Sequence, residues 1–566
     1  MALLFVLPYV ACSAPAPTPA GDTRSDTGSP SPKKMIVGIL DERKGWAPWD
    51  FRTSAGGAQN PLWLVSRTLT IVNDKGHVQP VLAAAVPSIE RADWRIFPDG
   101  SMEQIWRIRP EAKWQDGRPV TADDFVFGWE VLANPNVPTQ APAARALVNS
   151  TTAVDPATLL VRFGSTTPMA GNALFDPHPR HILGDVYASG DLDRFINHEY
   201  WSTSYIGTGP YRLAKWELGS FMEFSAFADY VEGKPKIDTI VMKFMGDTNT
   251  LYSNILTGDV EVALPDGLSV EMAAELKRSW AAPGTGNQVI LHPDGRFFRL
   301  EFQHKSEYAK PAAARDPRVR RAFYHTIDKE GVIEVELAGL GQPADSWITT
   351  DDPRRPQFKD AIPEWSYDLG LAQRVLAEAG WQRGPDGVLV HQPSGARMET
   401  EIRVTASQGH VKALSVMASG WRQAGAEVTE TVMPQALLAN REYWSTQPFA
   451  GLIGHTMDMQ WEKTRYSCET AARSENRWTG NYYGYCNPGI EAVIDRLQTA
   501  VAESDRTGLQ ASVMRTILKE DYAVAPLYWQ VTPIVFAKGI SGLGELAPGP
   551  FGNTWSPWNA HLWDTR

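Results

Sequence analysis

The segment Asp176-Pro-His-Pro-Arg-His181 offers one carboxylate and two imidazoles within a short stretch, a set of groups that could bind a metal ion. Proline precedes and follows His178, and no helical periodicity places His178 and His181 on one face. The sequence therefore favours a structural role for this segment. We expect no metal ion and no other cofactor.

Motifs that carry catalysis do not occur in the sequence. The 566 residues contain no His-Glu-x-x-His, no phosphate-binding P-loop and no Gly-x-Ser-x-Gly. The 65 acidic residues leave a two-carboxylate glycoside hydrolase open, but no pattern brings two carboxylates together. We therefore expect a binding protein and not an enzyme.

One of the three cysteines, Cys12, ends an uncharged apolar run, Ala2–Ala11. A run of about ten residues is too short to span a bilayer, but it suits the apolar part of a signal peptide. The small residue before Cys12 is typical of a lipobox, in which the cysteine is lipidated. We predict a signal peptide over 1–12 and lipidation of Cys12. The alternative is an apolar N-terminus with a chance cysteine.

Residues 13–33 consist mainly of Pro, Ser, Thr, Ala and Gly, and they show no apolar periodicity. Such a segment cannot bury enough surface to fold, so we predict a flexible tether. A lipid anchor and a tether together predict a protein held outside the cytoplasm. The net charge of −11 and the lack of a long basic run exclude nucleic acid as an expected partner.

Strand and helix patterns alternate in the C-terminal half, which favours an α/β fold. Thr121 can cap a helix whose first turn holds Asp123 and Asp124. Asp316 is expected to cap a helix with Pro317 in its first turn, and Asp328 to lie on its charged face. The predicted strands include Lys34–Leu40, Glu103–Arg109, Thr400–Thr405 and Phe449–Ile453, and the predicted helices are Asp316–Leu340, Leu369–Ala379, Val411–Gln423 and Ile490–Glu503.

Several segments, in a fixed order along the chain, resemble the motifs of a known family. The main ones are Ile105–Val126 (IWRIRPEAKWQDGRPVTADDFV), Thr208–Leu213 (TGPYRL), Asp316–Phe323 (DPRVRRAF), Tyr367–Trp381 and Tyr483–Pro488 (YGYCNP). Together they resemble the large solute-binding proteins of dipeptide, oligopeptide and nickel ABC importers, solute-binding protein family 5. The resemblance extends roughly from Lys34 to the C-terminus.

This resemblance implies an α/β, two-lobed fold like that of periplasmic binding proteins (type II, cluster C), with an extra domain and a discontinuous first lobe. Lobe I is expected from 34–70, 199–290 and 525–566. The extra domain is expected at 71–198, and lobe II at 291–524.

The resemblance also implies a function. We expect an extracytoplasmic monomer that captures a peptide between its lobes and delivers it to ABC permease subunits with their ATPases, with membrane contact through the N-terminal lipid. Oligosaccharides are the alternative solute, because the residues that hold both peptide termini in the family are not where expected, and metal chelates come third. A glycoside hydrolase or a receptor without transport is the alternative of another class.

Two cysteines of the family's dipeptide-binding members pair beside the ligand, which implies a disulfide between Cys468 and Cys486. The alternative is two unpaired buried thiols. The peptide amine is held in these members by an aspartate, and the matching position here is Gly454. Asp458, four residues on, could take this role if the loop is shifted, and His410 or Lys412 could replace the arginine that holds the peptide carboxylate.

Aromatic side chains near the two cysteines could line a cleft, because aromatic faces suit sugar rings and apolar side chains. These candidates are Trp461, Tyr466, Trp478, Tyr482 and Tyr483. The alternative is ordinary core packing, and we expect one or two of them to reach a ligand. By resemblance, the loop with Ser54, Gly56 and Gly57 lies at the edge of the cleft, where its backbone could bind an extended ligand.

Overall fold

The computed structural model describes residues 31–49, 60–73, 77–138, 142–171, 175–350, 352–438, 440–456, 461–543, 547–548 and 554–566. The chain forms two units, Met1–Pro32 and Lys33–Arg566. The predicted signal peptide, the lipidation site Cys12 and nearly all of the predicted tether lie outside the described residues and stay predictions.

The described part of the larger unit contains many short strands and two long ones. The strands are β1 Lys34–Ile39, β2 Thr70–Val72, β3 Val78–Pro80, β4 Trp94–Ile96, β5 Met102–Arg107, β6 Val148–Asp155, β7 Thr158–Phe163, β8 Tyr211–Glu217, β9 Phe221–Ala226, β10 Thr239–Phe244, β11 Val262–Ala263, β12 Gln288–Phe302, β13 Gln342–Pro343, β14 Trp381–Arg383, β15 Leu389–His391, β16 Glu399–Thr405, β17 Glu427–Met433, β18 Ala450–Thr456, β19 Val524–Phe536, β20 Ile540–Ser541, β21 Ala547–Pro548, β22 Thr554–Trp555 and β23 Asp564–Thr565.

Eleven of these strands form one mixed sheet in the order β17-β16-β18-β12-β19-β11-β1-β10-β9-β8, with β13 paired to β19 off this path. Strand β1 is parallel to β10 and β11, and β16 is parallel to β17 and β18. We call the strands β1 and β8 to β11 the first part of the sheet, and β16 to β18 the second part. Strands β12 and β19 join the two parts.

The long strands β12 and β19 are antiparallel to each other and run across the junction. All positions of β19 except Gln530 are buried, which explains its nearly continuous apolar sequence. The ladder between the two strands is interrupted, because residues 294–296 of β12 stand opposite residue 530 of β19. An irregularity of this kind bends a strand locally.

Fifteen α-helices lie in the described ranges. They are α1 Leu62–Val65, α2 Ala122–Ala133, α3 Pro142–Leu147, α4 Arg180–Ala188, α5 Leu192–Ile196, α6 Thr248–Thr257, α7 Val270–Arg278, α8 Pro317–His325, α9 Lys329–Leu337, α10 Leu369–Glu378, α11 Gln408–Ala424, α12 Arg441–Ser445, α13 Trp461–Tyr466, α14 Pro488–Thr499 and α15 Glu503–Met514. None of the helices in the described ranges is both long and apolar enough to cross a membrane.

Two predicted helix starts are confirmed. The backbone N–H of Thr121 donates to Asp124 at 2.9 Å, which forms one half of a capping box at the start of α2. Asp316 accepts from the backbone N–H of Arg318 at 2.9 Å and caps α8, with Pro317 as the first helical residue.

The prediction of one helix over Asp316–Leu340 is wrong, because the chain forms α8 and α9 with a break between them. Thr326 donates its side-chain O–H to the carbonyl of Phe323 at 2.7 Å, which ends α8. Asp328 does not lie on a helix face. Its carboxylate accepts from the backbone N–H of Gly331 at 2.9 Å and caps α9.

Two further helix limits differ from the prediction. Helix α11 begins three residues before the predicted Val411, because Ser407 accepts from the backbone N–H of His410 and serves as its cap. The predicted helix Ile490–Glu503 ends at Thr499, and a separate helix begins at Glu503.

A second sheet lies within the range predicted for the extra domain. Its strands follow the order β4-β5-β7-β6. One buried cluster joins this sheet to helix α2. It contains Trp106 of β5, Trp114 and, from α2, Phe125. The exact limits of the predicted domains stay a prediction.

Candidate functional site

The carboxyl ends of parallel strands from both parts of the sheet converge at the interruption of β12. Strand β18 ends at Thr456, which pairs with Arg296 of β12. The loop after β11 leads to Asp266, whose carboxylate lies 3.7 Å from the Arg296 guanidinium. In open α/β sheets ligands bind beyond the carboxyl ends of such strands. This convergence is therefore the candidate site.

His410 lies at this place, in the first turn of α11. Its Nδ1 contacts the Thr405 hydroxyl at the end of β16, and its Nε2 lies 3.5 Å from a carboxylate oxygen of Glu336. Its ring packs on Phe298 with centroids 5.2 Å apart. Burial lowers the pKa of His410 to about 4, so the imidazole is neutral near pH 7.

Glu336 reaches the same place from α9. Its side chain is 8% exposed, and burial, followed by the nearby Glu271 of α7, raises its pKa to about 7. The nearby Tyr528 hydroxyl and then the exposed Lys412 oppose this shift. Helix α7 packs on β12 and β19, and α9 packs on β19 and α11, so Glu336 lies beside the strands that join the two parts of the sheet.

The backbone of α11 approaches Glu336 closely. A Cβ at Gly409 would stand 2.6 Å from the Glu336 carboxylate, so a larger residue would displace the acid. The N-terminus of a helix favours a carboxylate beside it. The first turn of α11 thus contributes to holding Glu336 in place.

Two aromatic rings form the wall beneath these polar groups. Phe298 of β12 stacks on Tyr528 of β19 with centroids 4.9 Å apart and an interplanar angle of 11°. A Cβ at Gly454 would lie 2.5 Å from the Phe298 ring. The position that matches the amine-binding aspartate is thus closed to any side chain, because the ring occupies the space.

Four of the candidate residues belong to two predicted cleft loops. Ser54, Gly56, Gly57 and Asp458 lie outside the described residues. Trp461 is the first residue of α13, and its side chain also lies outside them.

The remaining aromatic candidates do not reach the convergence. Tyr483 is 1% exposed, which argues against the predicted ligand contact. Trp478 lies beside Tyr308 and beneath the Lys305 ammonium, which follow the opposite end of β12. Tyr482 is half-buried with the Arg465 guanidinium over its ring.

Tyr466 is core. Its ring stacks on Trp347 with centroids 5.9 Å apart, which corresponds to the core-packing alternative. The pairing of Cys468 with Cys486 is present in the structure, with Cα atoms 4.5 Å apart. This bond closes the loop that carries Trp478, Tyr482 and Tyr483. The backbone N–H of Cys468 donates to Glu491 of α14 at 2.8 Å, so the loop is fixed to a helix.

The sequence reasoning missed Glu336, Phe298 and Tyr528. One signal could have identified Glu336, because it stands three to four residues after Val332 and Ile333 on the buried face of α9. A carboxylate on an apolar stripe is rarely buried without a role. No local signal marks Phe298 or Tyr528, since each looks like a core residue of a strand.

A concave region lies away from this cluster. It is a cavity of about 1770 Å³ between α8, the start of α9 and residues 343–367. Tyr324 and Trp365 pack edge to face in its wall. It shares no lining residue with the cluster around His410.

The family of the chain follows from a comparison with known proteins. The model of the bacterial extracellular solute-binding proteins, family 5 Middle, matches residues 86–467. Oligopeptide-binding protein AppA of Bacillus subtilis is 25% identical over 331 residues, which cover 57% of this chain and 55% of AppA. Protein XP55 of Streptomyces lividans is 25% identical over 392 residues, which cover 68% of this chain and 64% of XP55. The chain thus spans less than two thirds of the length of these relatives.

Solved structures agree on the fold. The oligopeptide-binding protein of Thermus thermophilus, complexed with a pentapeptide, has a TM-score of 0.66 at 21% identity, over 94% of this chain and 96% of that one. NikZ of Campylobacter jejuni, in complex with Ni(L-His), has a TM-score of 0.67 at 19% identity, over 94% and 99%. These likenesses confirm the predicted two-lobed fold of the type II periplasmic binding proteins. The chain belongs to the family 5 bacterial extracellular solute-binding proteins, which are binding components of ABC transporters and not enzymes.

Proposed function

We propose that this chain captures a peptide in the cleft between its lobes and delivers it to an ABC permease. The observation that carries the proposal is the convergence of strand ends from both parts of the sheet on one cluster, formed by His410, Glu336, Phe298 and Tyr528. This cluster combines apolar ring faces with a few polar groups, as small-molecule sites do.

The peptide assignment is supported by two proteins of similar fold or sequence. The Thermus thermophilus protein holds a pentapeptide, and AppA is named for oligopeptides. Tyr466 and Tyr483 are core residues, so a sugar-binding row of aromatic side chains has less support than the sequence indicated. The predicted lipid anchor at Cys12, the amine contact of Asp458 and the docking on a permease with its ATPases belong to this proposal.

Closure is the mechanism that we propose for capture. Ligand contacts with both lobes favour the closed form, and differential affinity for that form shifts the population. The long strands β12 and β19 join the lobes, and their interrupted ladder is the place where bending needs the fewest broken contacts.

Native mass spectrometry combined with a thermal-shift screen tests the proposal. The full chain is screened against a peptide mixture, a set of oligosaccharides and nickel with histidine. We expect a peptide to remain bound and to raise the melting temperature. Stabilisation by sugars alone or by the nickel chelate alone would contradict the peptide assignment and leave the family unchanged.

A further inference from the structure

An unpaired carboxylate oxygen lies at the junction of the two lobes. Oε2 of Glu336 is buried and has no hydrogen-bond partner among the residues that the structure describes. The Tyr528 hydroxyl lies close enough for Glu336 to raise its pKa further, after burial, but it makes no hydrogen bond of normal geometry in the described part of the chain. Buried polar groups in native proteins almost always have partners. We therefore consider a partner for Oε2 that arrives from outside.

The charges around Glu336 define that partner. The like charge that raises the pKa of Glu336 further is Glu271, an exposed residue at the start of α7. His410 is neutral near pH 7 and supplies no positive charge. Lys412 is exposed, and no ion pair joins it to Glu336 among the described residues. Among the described residues, no buried positive charge therefore pairs with Glu336.

We infer that the ligand of this cleft carries a positively charged nitrogen group, an ammonium or a guanidinium, that binds the carboxylate of Glu336. The inference rests on the proposed function, and it names the chemical class of the solute. The free Oε2 accepts an N–H from this group.

The first turn of α11 explains how the cleft holds this charge before a ligand arrives. The carboxylate lies against the backbone at Gly409, where the helix N-terminus favours an anion. This contact leaves Oε2 unpaired, so it does not replace the ligand. A purely structural acid would have its oxygens paired within the protein.

Calorimetric titration of the full chain with four matched peptides tests the inference. A pentapeptide with one lysine is compared with the analogue that has norleucine at that position, each with a free and with an acetylated amino terminus. The variants are Glu336→Gln, which keeps the shape of the side chain, and the matched control Glu334→Gln on the exposed side of α9.

We expect Glu336→Gln to weaken binding of both lysine peptides by roughly thirtyfold or more, because removal of one partner of a buried charge pair has a large cost. Binding of the norleucine peptides should change less than about threefold, and Glu334→Gln should leave all four unchanged. If the variant binds both peptides with a free amino terminus more weakly, and both acetylated peptides as well as the wild type does, the contact with Glu336 belongs to the peptide amino terminus.

An equal loss for all four peptides would overturn the inference, since it would reveal a structural role for Glu336. Unchanged binding of every peptide by the variant would overturn it too, with peptide capture intact. Failure of the wild-type chain to bind any peptide would contradict the proposed function itself. Thermal melting of the empty proteins separates folding from binding, because a buried unpaired carboxylate predicts that Glu336→Gln melts higher above pH 7, whereas a structural acid predicts that it melts lower.

Discussion

Glu336 and His410 lie 3.5 Å apart, yet burial shifts their pKa values in opposite directions, to about 7 and about 4. For Glu336 the folded value lies above the ordinary one, so its contribution to stability is present in acid and lost as pH rises toward 7. For His410 the folded value lies below the ordinary one, so its contribution is present above about pH 6.5 and lost as pH falls toward 4. The two effects oppose each other in mild acid.

The Glu336 effect can be isolated by substitution. We expect Glu336→Gln and the wild type to have similar free energies of unfolding at pH 5. At pH 8 the variant should be more stable by on the order of 1–3 kcal/mol, because it no longer buries a charge. Chemical denaturation at both pH values measures this. The other groups that face Glu336, namely Glu271, His410, Lys412 and Tyr528, remain in both proteins. If the free energies of unfolding of the two proteins change with pH in the same way, the prediction is contradicted.

At the scale of elements, helix α11 packs against the break between α8 and α9. A Cβ at Gly420 of α11 would lie 1.9 Å from the backbone carbonyl oxygen of Thr326. This approach couples the position of α11, which carries His410, to that of α9, which carries Glu336. The break that contradicts the predicted long helix therefore positions the site.

Gly420→Ala should destabilise the protein by about 1–3 kcal/mol, because backbone and not a flexible side chain has to move. Gly508→Ala in α15 is the matched control, since its Cβ would meet no atom within 4 Å. For Gly508→Ala we expect the free energy of unfolding to rise by roughly 1 kcal/mol, because alanine has the higher helix propensity. Thermal melting of both variants checks the pair, and equal effects would contradict the packing argument.

The disulfide between Cys468 and Cys486 is a second prediction at this scale. Replacing both cysteines with alanine should lower the free energy of unfolding by about 3 kcal/mol, since the bond restricts the unfolded chain. Denaturation with and without reductant measures this. The double variant should be insensitive to reductant. A reductant effect of similar size in the variant would show that the loss has another source.

Local signals in the sequence predicted local structure well. The start of α2 at Thr121 and the start of α8 at Asp316 follow from capping residues that act within one turn. The break after α8 was missed because the apolar periodicity continues through it, and only the cap at Asp328 marks a new helix. His410 was among the candidates, but its partners Glu336 and Phe298 lie 74 and 112 positions earlier in the chain (410 − 336 and 410 − 298). Contacts of such long range depend on the sheet order.

For the whole molecule, the shared sheet predicts a change of shape on binding. Small-angle X-ray scattering of the full chain should give a smaller radius of gyration with a bound peptide than without it, because the lobes close on the ligand. An oligosaccharide that does not bind serves as the control. A radius that is unchanged at saturating peptide would contradict closure by bending at β12 and β19.

The interruption of the ladder between β12 and β19 affects the rate at which the lobes open. The two strands lack regular pairing at residues 294–296. Bending at this place therefore breaks few backbone hydrogen bonds between β12 and β19. The barrier to opening should then depend mainly on what the occupant loses and little on the backbone. The lifetime of the closed, ligand-bound form would then be set by the ligand. A weakly bound ligand would dissociate quickly, and a tightly bound ligand would remain long enough for a slow encounter with the permease.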